Sequence, residues 1–458
     1  MVDIKNILKH LPEVEGPKEK LSFNVKAKWT IVILVAFFIL TNIPLYGMIP
    51  SFLERFENLA IILGTDFGSI ISLGIGPIVM ASIILQLLVG SEILKIDTSN
   101  VEGKRFFQGL QKLLVFFFII FEACVYVLMG GLAPDPSLGT LGPLILIIQL
   151  ILGGLAILFM DEILTKWGFG SGVSLFIAAG VSWRLFTSLF QFIGPQGGIS
   201  PSGKLLVFIT SLINQDTTGA FAAAAAIIVT IIIFLFVVWA QSLKVEIPLS
   251  FDRLRGYGIK WPLAFFYTSV MPVILVSALS ANIQLGAGLL ENYLGRPTIL
   301  GGFSQGTPIS GFASWINGVD LLNAFITNSF TKYMILQSLG HVLFYVTFST
   351  IFAIFWVKTS GMDARSQAKN IMKSGLTIPG FRKDERILES VLERYIFPLT
   401  IMGGVAIGLL SAVSDTVGTL VGGTSMLLVI LIMYQFYQNI AQQHSMDMYP
   451  ALKKFIKT

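Results

Sequence analysis

Charge is scarce in this chain: 12% of its 458 residues are Asp, Glu, Lys or Arg, about half the share found in an ordinary soluble domain. With 54% of residues hydrophobic, a water-soluble fold is excluded. Cysteine is nearly absent. Cys124 stands alone inside an apolar run, which rules out an internal disulfide and any CxxC metal or redox site. The three histidines, His10, His341 and His444, are too few and too scattered for a metal cluster. Neither HExxH nor GxSxG occurs, so metal-dependent and serine hydrolysis have no support. The short alternating segments of a membrane β-barrel are missing as well.

What the chain has instead is a series of long apolar stretches. About 20 such residues cross the hydrocarbon core of a bilayer, and backbone groups in lipid must pair within their own segment, so each stretch should be a helix. Spans are expected near residues 29–48, 73–92, 108–130, 142–160, 172–192, 219–241, 262–284, 333–357, 395–414 and 419–440. The fold class is therefore all-α: a polytopic membrane protein of about ten transmembrane helices. Two five-helix halves, 29–192 and 219–440, are joined by an external linker at 193–218. An odd number of spans per half sets the halves in opposite orientation, as in inverted-repeat proteins. Helix breakers occupy corresponding places, Gly74-Ile75-Gly76-Pro77 in the second span and Met271-Pro272 in the seventh. Such breaks mark a binding site or are tolerated kinks.

Basic residues orient the chain. With the N-terminus inside, only Arg55, Arg184, Lys204, Arg296 and Lys332 of the 31 Lys and Arg fall outside. Both ends, 1–28 and 441–458, are thus expected in the cytoplasm. The lysine-rich start is no cleavable signal; Ile4, Ile7, Leu8 and Leu11 suit a short amphipathic surface helix, and a frayed tail fits them equally. Between the first two spans, 51–71 is half-polar and reads as a short re-entrant or surface helix. Two cytoplasmic loops, 242–261 and 358–394, are long and basic, with Arg253, Arg255, Arg382 and Lys383 among their charges. They suit an anionic partner, ribosomal RNA or lipid headgroups. The outer loop 285–331 is glycine-rich and nearly uncharged, with no evident chemistry.

Little else in the chain carries chemistry. Gly198 to Lys204 fits GxxxxGK, but Leu205 replaces the hydroxyl residue that would hold magnesium, so the match is fortuitous. Glu122 is the clear intramembrane acid, and Gln86, Asn282 and Gln284 are available to it as hydrogen-bond partners; a polar seam between helices is the natural expectation. Ile75, Val79 and Ile83 recur every four residues, as do Val173 and Ile177, which keeps each set on one helix face. Such faces meet lipid, another helix or a pore.

Specific motifs narrow these alternatives. Gly74-Ile-Gly-Pro-Ile-Val-Met-Ala-Ser-Ile-Ile-Leu-Gln-Leu-Leu-Val-Gly90 and Phe107-Gln-Gly109 resemble the second span and following loop of the SecY family, the channel subunits of the protein translocon. Leu11-Pro-Glu-Val-Glu15, Gly170-Ser-Gly172, Ile247-Pro-Leu249, Pro272-Val-Ile-Leu275, Ala281-Asn-Ile-Gln284, Gly380-Phe-Arg-Lys383, Arg394-Tyr395 and Gly422-Gly-Thr424 follow in family order. The first and sixth of these look like the archaeal and eukaryotic branch.

The resemblance implies two halves closing like a clamshell on an hourglass pore. Its apolar ring would be Ile75, Val79, Ile83, Val173, Ile177, Ile274 and Leu428. A plug is expected at about 51–71, and a lateral gate between spans two and three on one side and seven and eight on the other, lined by Glu122, Asn282 and Gln86. Met80 stands where the family's pattern has threonine. Docking of the ribosome or other cytosolic drivers would fall to Arg253, Arg255, Arg382 and Lys383. The other partners implied are signal sequences and nascent chains, membrane lipid, and small single-span subunits of the SecE-like gamma and beta kinds. No cofactor, metal or catalytic group is expected. The competing reading is a secondary transporter of small solutes, which the scarcity of midplane charge disfavours; an intramembrane hydrolase would need a nucleophile with a placed base, and none is evident.

Overall fold

In a computed structural model of the chain, the described residues are 11–49, 63, 65–96, 101–192, 202–251, 258–268, 270–304, 306–373, 376–377 and 384–448. Ten helices correspond to the ten expected spans. In the first half they are α1 (Phe23–Thr41), α2 (Gly76–Gly90), α3 (Val101–Leu128), α4 (Gly142–Trp167) and α5 (Gly172–Phe190). A ten-residue α6 (Lys204–Ile213) then doubles back against α7 (Thr217–Gln241). The second half continues with strands β1 (Lys244–Phe251) and β2 (Gly258–Ala264) and helix α8 (Met271–Leu294). After it come β3 (Gly302–Ser304), β4 (Thr307–Ser310), α9 (Gly311–Ile316), α10 (Leu321–Ile326), α11 (Lys332–Ser360), α12 (Ala364–Lys373), β5 (Leu376–Thr377), α13 (Glu385–Val417) and α14 (Gly423–Met448). Among the described residues nine helices are long and apolar enough to cross a membrane.

The tenth, α2, has 15 residues and reaches only about 22 Å. Gly74 at φ 52° breaks the chain ahead of it, and Pro77 suits the first turn of a helix, where no N–H is needed. Residues 65–75 complete the depth as buried turns rather than as the expected helix. Leu45 N–H donates to the Gly68 carbonyl at 2.8 Å and Ile70 N–H to that of Ile43 at 2.9 Å, fastening these turns to the end of α1.

The seventh span differs from expectation at both ends. Residues 262–264 are apolar, yet they belong to β2, which pairs antiparallel with β1 (Ile247 opposite Trp261). Helix α8 starts only at Met271, with Pro272 in its first turn, and runs on to Gly295, whose left-handed φ of 65° ends it. The outer loop thus begins at 295, and it is partly built: β3 pairs with β4, and Glu291 Oε2 of α8 accepts the Phe303 N–H at 2.7 Å.

The described parts of the two basic loops also join in one small folded body. β5 pairs with the end of β1 (Phe251 opposite Leu376). Ile247, Leu263, Ala368, Ile371, Leu388 and Leu392 form a second apolar core apart from the membrane one. Helices α11 and α13, 29 and 33 residues long, run from the membrane into it.

The Leu11–Glu15 motif has a structural role. Glu162 of α4 pairs with Lys112 of α3 and accepts the Val14 N–H at 3.0 Å. Lys166 donates to Glu13 Oε1 at 2.5 Å and to the Val14 carbonyl at 2.6 Å, and the Trp167 indole N–H donates to the Glu15 carbonyl at 2.9 Å. The segment is a strap across the ends of α3 and α4, and Gln443 of α14 reaches its far end through the Leu21 carbonyl at 3.2 Å. The hydrogen bond from Lys166, opposed by partial burial, holds the Glu13 carboxyl below its ordinary value of 4.5. A carboxyl depressed in the folded state contributes fully above that ordinary value and loses its contribution as pH falls through the lower one. Protease nicking within 11–22 should therefore rise only on acidification below the usual glutamate range, and K166M should remove that pH dependence.

Candidate functional site

Seven residues were expected to form an apolar ring, and the structure puts them on four helices drawn from both halves. Ile75 immediately precedes α2, which carries Val79 and Ile83; α5 carries Val173 and Ile177, α8 carries Ile274 and α14 carries Leu428. Six are buried and Val173 is half-buried against the same continuous apolar cluster. Helix α2 packs on α8, and α5 on α14, so each contact pairs one half with the other. The Ile75 N–H donates to the Leu63 carbonyl at 2.9 Å. Leu63, Ile71 and Leu73 are fully buried in the same cluster. The described end of the expected plug is therefore bonded to the ring, while 50–62 and 64 lie outside the described residues.

The polar seam is looser than its expected form. Glu122 is buried on α3 with its carboxylate against Gly76, so close that a Cβ there would sit 3.0 Å from Oε2. That oxygen has no hydrogen-bond partner, and neither has the buried side-chain oxygen of Gln86. Asn282 is half-buried and donates to the Ala278 carbonyl of its own helix at 2.8 Å, as Gln284 does to Ser280 at 3.1 Å. Gly76 and Gln86 are ten residues apart on α2, about 15 Å, so Glu122 and Gln86 mark different depths. No hydrogen bond joins Glu122, Gln86 and Asn282 among the described residues. Met80 is half-buried against the apolar cluster.

Other contacts close the line between α2/α3 and α8/α11. Near one end, Asn292 of α8 donates to the Met129 and Gly130 carbonyls at 3.1 and 3.2 Å. Those are carbonyls just past α3, where a helix leaves its last acceptors unpaired. Gly130 is required there twice over: its φ is 73°, and a side chain would meet the Asn292 amide at 3.0 Å. At the other end Gly90 lies under the Phe355 ring of α11, and Lys358 stands 3.8 Å from Glu92, a pair too exposed to hold much. Asn292 was not legible in the sequence, because its partners lie on a distant segment.

Of the expected docking residues, Arg253, Arg255, Arg382 and Lys383 all lie outside the described residues. The strand pair that precedes them, Phe251 with Leu376, joins their two segments. Among the described residues no group of three or more His, Cys, Asp or Glu could hold a metal ion.

Known proteins share this arrangement. The family model described as SecY matches residues 69–437. A protein translocase subunit SecY from Methanothermobacter thermautotrophicus is 43% identical, over 97% of this chain and 96% of its own length. A structure described as a protein conducting channel superposes with a TM-score of 0.81 at 37% identity, covering 97% of this chain and 98% of that one. Sec61 in the canine ribosome-channel complex from the endoplasmic reticulum gives 0.78 at 36% identity with the same coverage. A family model over most of the chain, a shared fold and identity along nearly the whole length agree on one assignment: the chain belongs to the SecY family.

Proposed function

We propose that this multi-pass membrane protein is a protein-conducting channel whose pore closes at the seven-residue apolar ring. The observation that carries the reading is the convergence of Ile75, Val79, Ile83, Val173, Ile177, Ile274 and Leu428 from α2, α5, α8 and α14 into one apolar cluster. A ring without charge resists ions because water leaves a narrow apolar constriction, while branched aliphatic side chains can yield around a moving polypeptide. Nearby, Leu63 and residues 65–71 are the anchored base of a plug.

Signal sequences and membrane-bound segments leave between α2/α3 and α8/α11, where Glu122 and Gln86 offer unpartnered oxygens and Asn292 supplies a latch. Lipid takes the segments released there. The termini face the cytoplasm, in keeping with the basic residues of the tails and of the module around β1, β2, β5 and α12. That module, through Arg253, Arg255, Arg382 and Lys383, receives the ribosome; the Sec61 relative was solved in such a complex. Small single-span subunits of the SecE-like gamma and beta kinds cover part of the exposed apolar faces, as on α1 (Ile31, Val35, Ile39) and α7 (Phe221, Ile231, Leu235).

A stalled secretory chain should crosslink to a photoreactive group at Ile83 or Ile274. I274K should raise the ion leak of the idle channel at least about tenfold, because a charge recruits water into the constriction; an unchanged leak in planar bilayers would remove the ring assignment. At the seam, N292A forfeits two hydrogen bonds worth about 1 kcal/mol each. It should favour the open gate several-fold, measured as export of substrates with weakened signals. Finally, R382E with K383E should weaken ribosome co-sedimentation about tenfold at low salt without changing the chain's thermal stability, since like charge now faces the RNA backbone.

A further inference from the structure

Two of the four ring-bearing helices take the cap of their first turn from another helix. Ser171, which precedes α5, makes no side-chain hydrogen bond to it. Instead Asp161 of α4 accepts the Val173 N–H through Oδ1 at 3.0 Å. In the other half, Asp415 of α13 accepts the Thr424 N–H of α14 through Oδ1 at 2.8 Å.

The correspondence extends to the register. In each case the bonded N–H belongs to the residue after the helix's opening glycine, Gly172 or Gly423. A ring residue stands five positions beyond that glycine, Ile177 in α5 and Leu428 in α14. The glycine is also where the earlier helix comes nearest. A Cβ on Gly172 would lie 2.6 Å from the Asp161 Cα, and one on Gly423 would run into the Ser414–Asp415 backbone. Five crossings separate the two connections, so they lie on opposite faces of the membrane.

Five residues of helix rise about 7.5 Å, so each helix begins within about that distance of the level of its ring residue. The free N–H groups of a first turn are costly away from water, and a carboxylate also complements the positive end of the helix. We infer that Asp161 and Asp415 are paired positioning residues, one in each half. Each fixes the depth at which the following helix starts, so that Ile177 and Leu428 reach the same level from opposite sides. The inference rests on the ring reading above. It adds two carboxylates that are not themselves ring residues; Asp161 reaches the ring only through the backbone N–H of Val173.

The two caps differ in their support. Asp415 also bonds the Thr424 hydroxyl and stands 3.2 Å from His341 Nε2, while His341 Nδ1 faces the Ile316 carbonyl at 2.8 Å. Removing Asp415 would disturb that whole group, so Asp161 is the site to change. The test compares the idle conductance of full-length channels carrying D161A, D161N, D161E or I177G, purified from native membranes. D161A should raise the leak about fivefold, the population change expected from losing a cap of ~1 kcal/mol. D161N keeps the acceptor and should restore the seal. D161E keeps the charge but holds it one methylene further out; it should leak, and it serves as the second arm if D161A does not accumulate. A tight seal in D161A or D161E beside a leaky I177G overturns the positioning role alone, as does a leak in D161N equal to that of D161A. A tight I177G overturns the ring reading, and this inference with it.

Discussion

An apolar constriction shared between two halves is a demanding thing to build, because no single helix owns it and each contributor must arrive at the same depth. Here α2 and α5 come from the first half and α8 and α14 from the second. The hydrophobic effect does not set that depth, since an aliphatic side chain is as content one turn higher in the membrane as at the waist. Directional bonds have to do it. The Ile75 N–H to the Leu63 carbonyl, the Asp161 and Asp415 caps, and the proline-led starts of α2 and α8 are such bonds and stops, and they lie on the helices that carry the proposed constriction.

The polar groups between the halves follow a different logic. A seam that must open repeatedly cannot be a fully satisfied network, because every bond in it would have to be broken at each opening. Glu122 and Gln86 each keep a buried oxygen without a partner, and Asn282 bonds within its own helix. The closed state thus holds few strong interactions across the line, and those it has, such as Asn292 with two helix-end carbonyls, lie toward its margins.

Much of this was legible in the sequence. About ten spans were expected, and among the described residues nine helices long and apolar enough to span a membrane were found, with the 15-residue α2 as a tenth, because an apolar run of about 20 residues has only one common solution in lipid. The errors fell where apolar residues had another use. Pro262, Leu263 and Ala264 looked like the start of a span but extend a strand whose hairpin packs on α12 and α13, and residues 285–294 continued a helix expected to have ended. The proposed ring rests on family motifs, since Ile and Val at helical spacing say nothing about which surface they face. Asn292 and the paired aspartates left no local signal, because their partners are supplied by the tertiary fold.

The second apolar core has a mechanical consequence. Helix α11 passes from the bilayer into the module formed by β1, β2, β5 and α12 with no internal proline, whereas α13 carries Pro398 beside Leu399 of that module's core, so α11 is the stiffer tie between the module and the second half. Helix α11 in turn lies against α2. A load applied to the module is carried along α11 to the edge where the halves meet, so the module can serve as a handle on that edge.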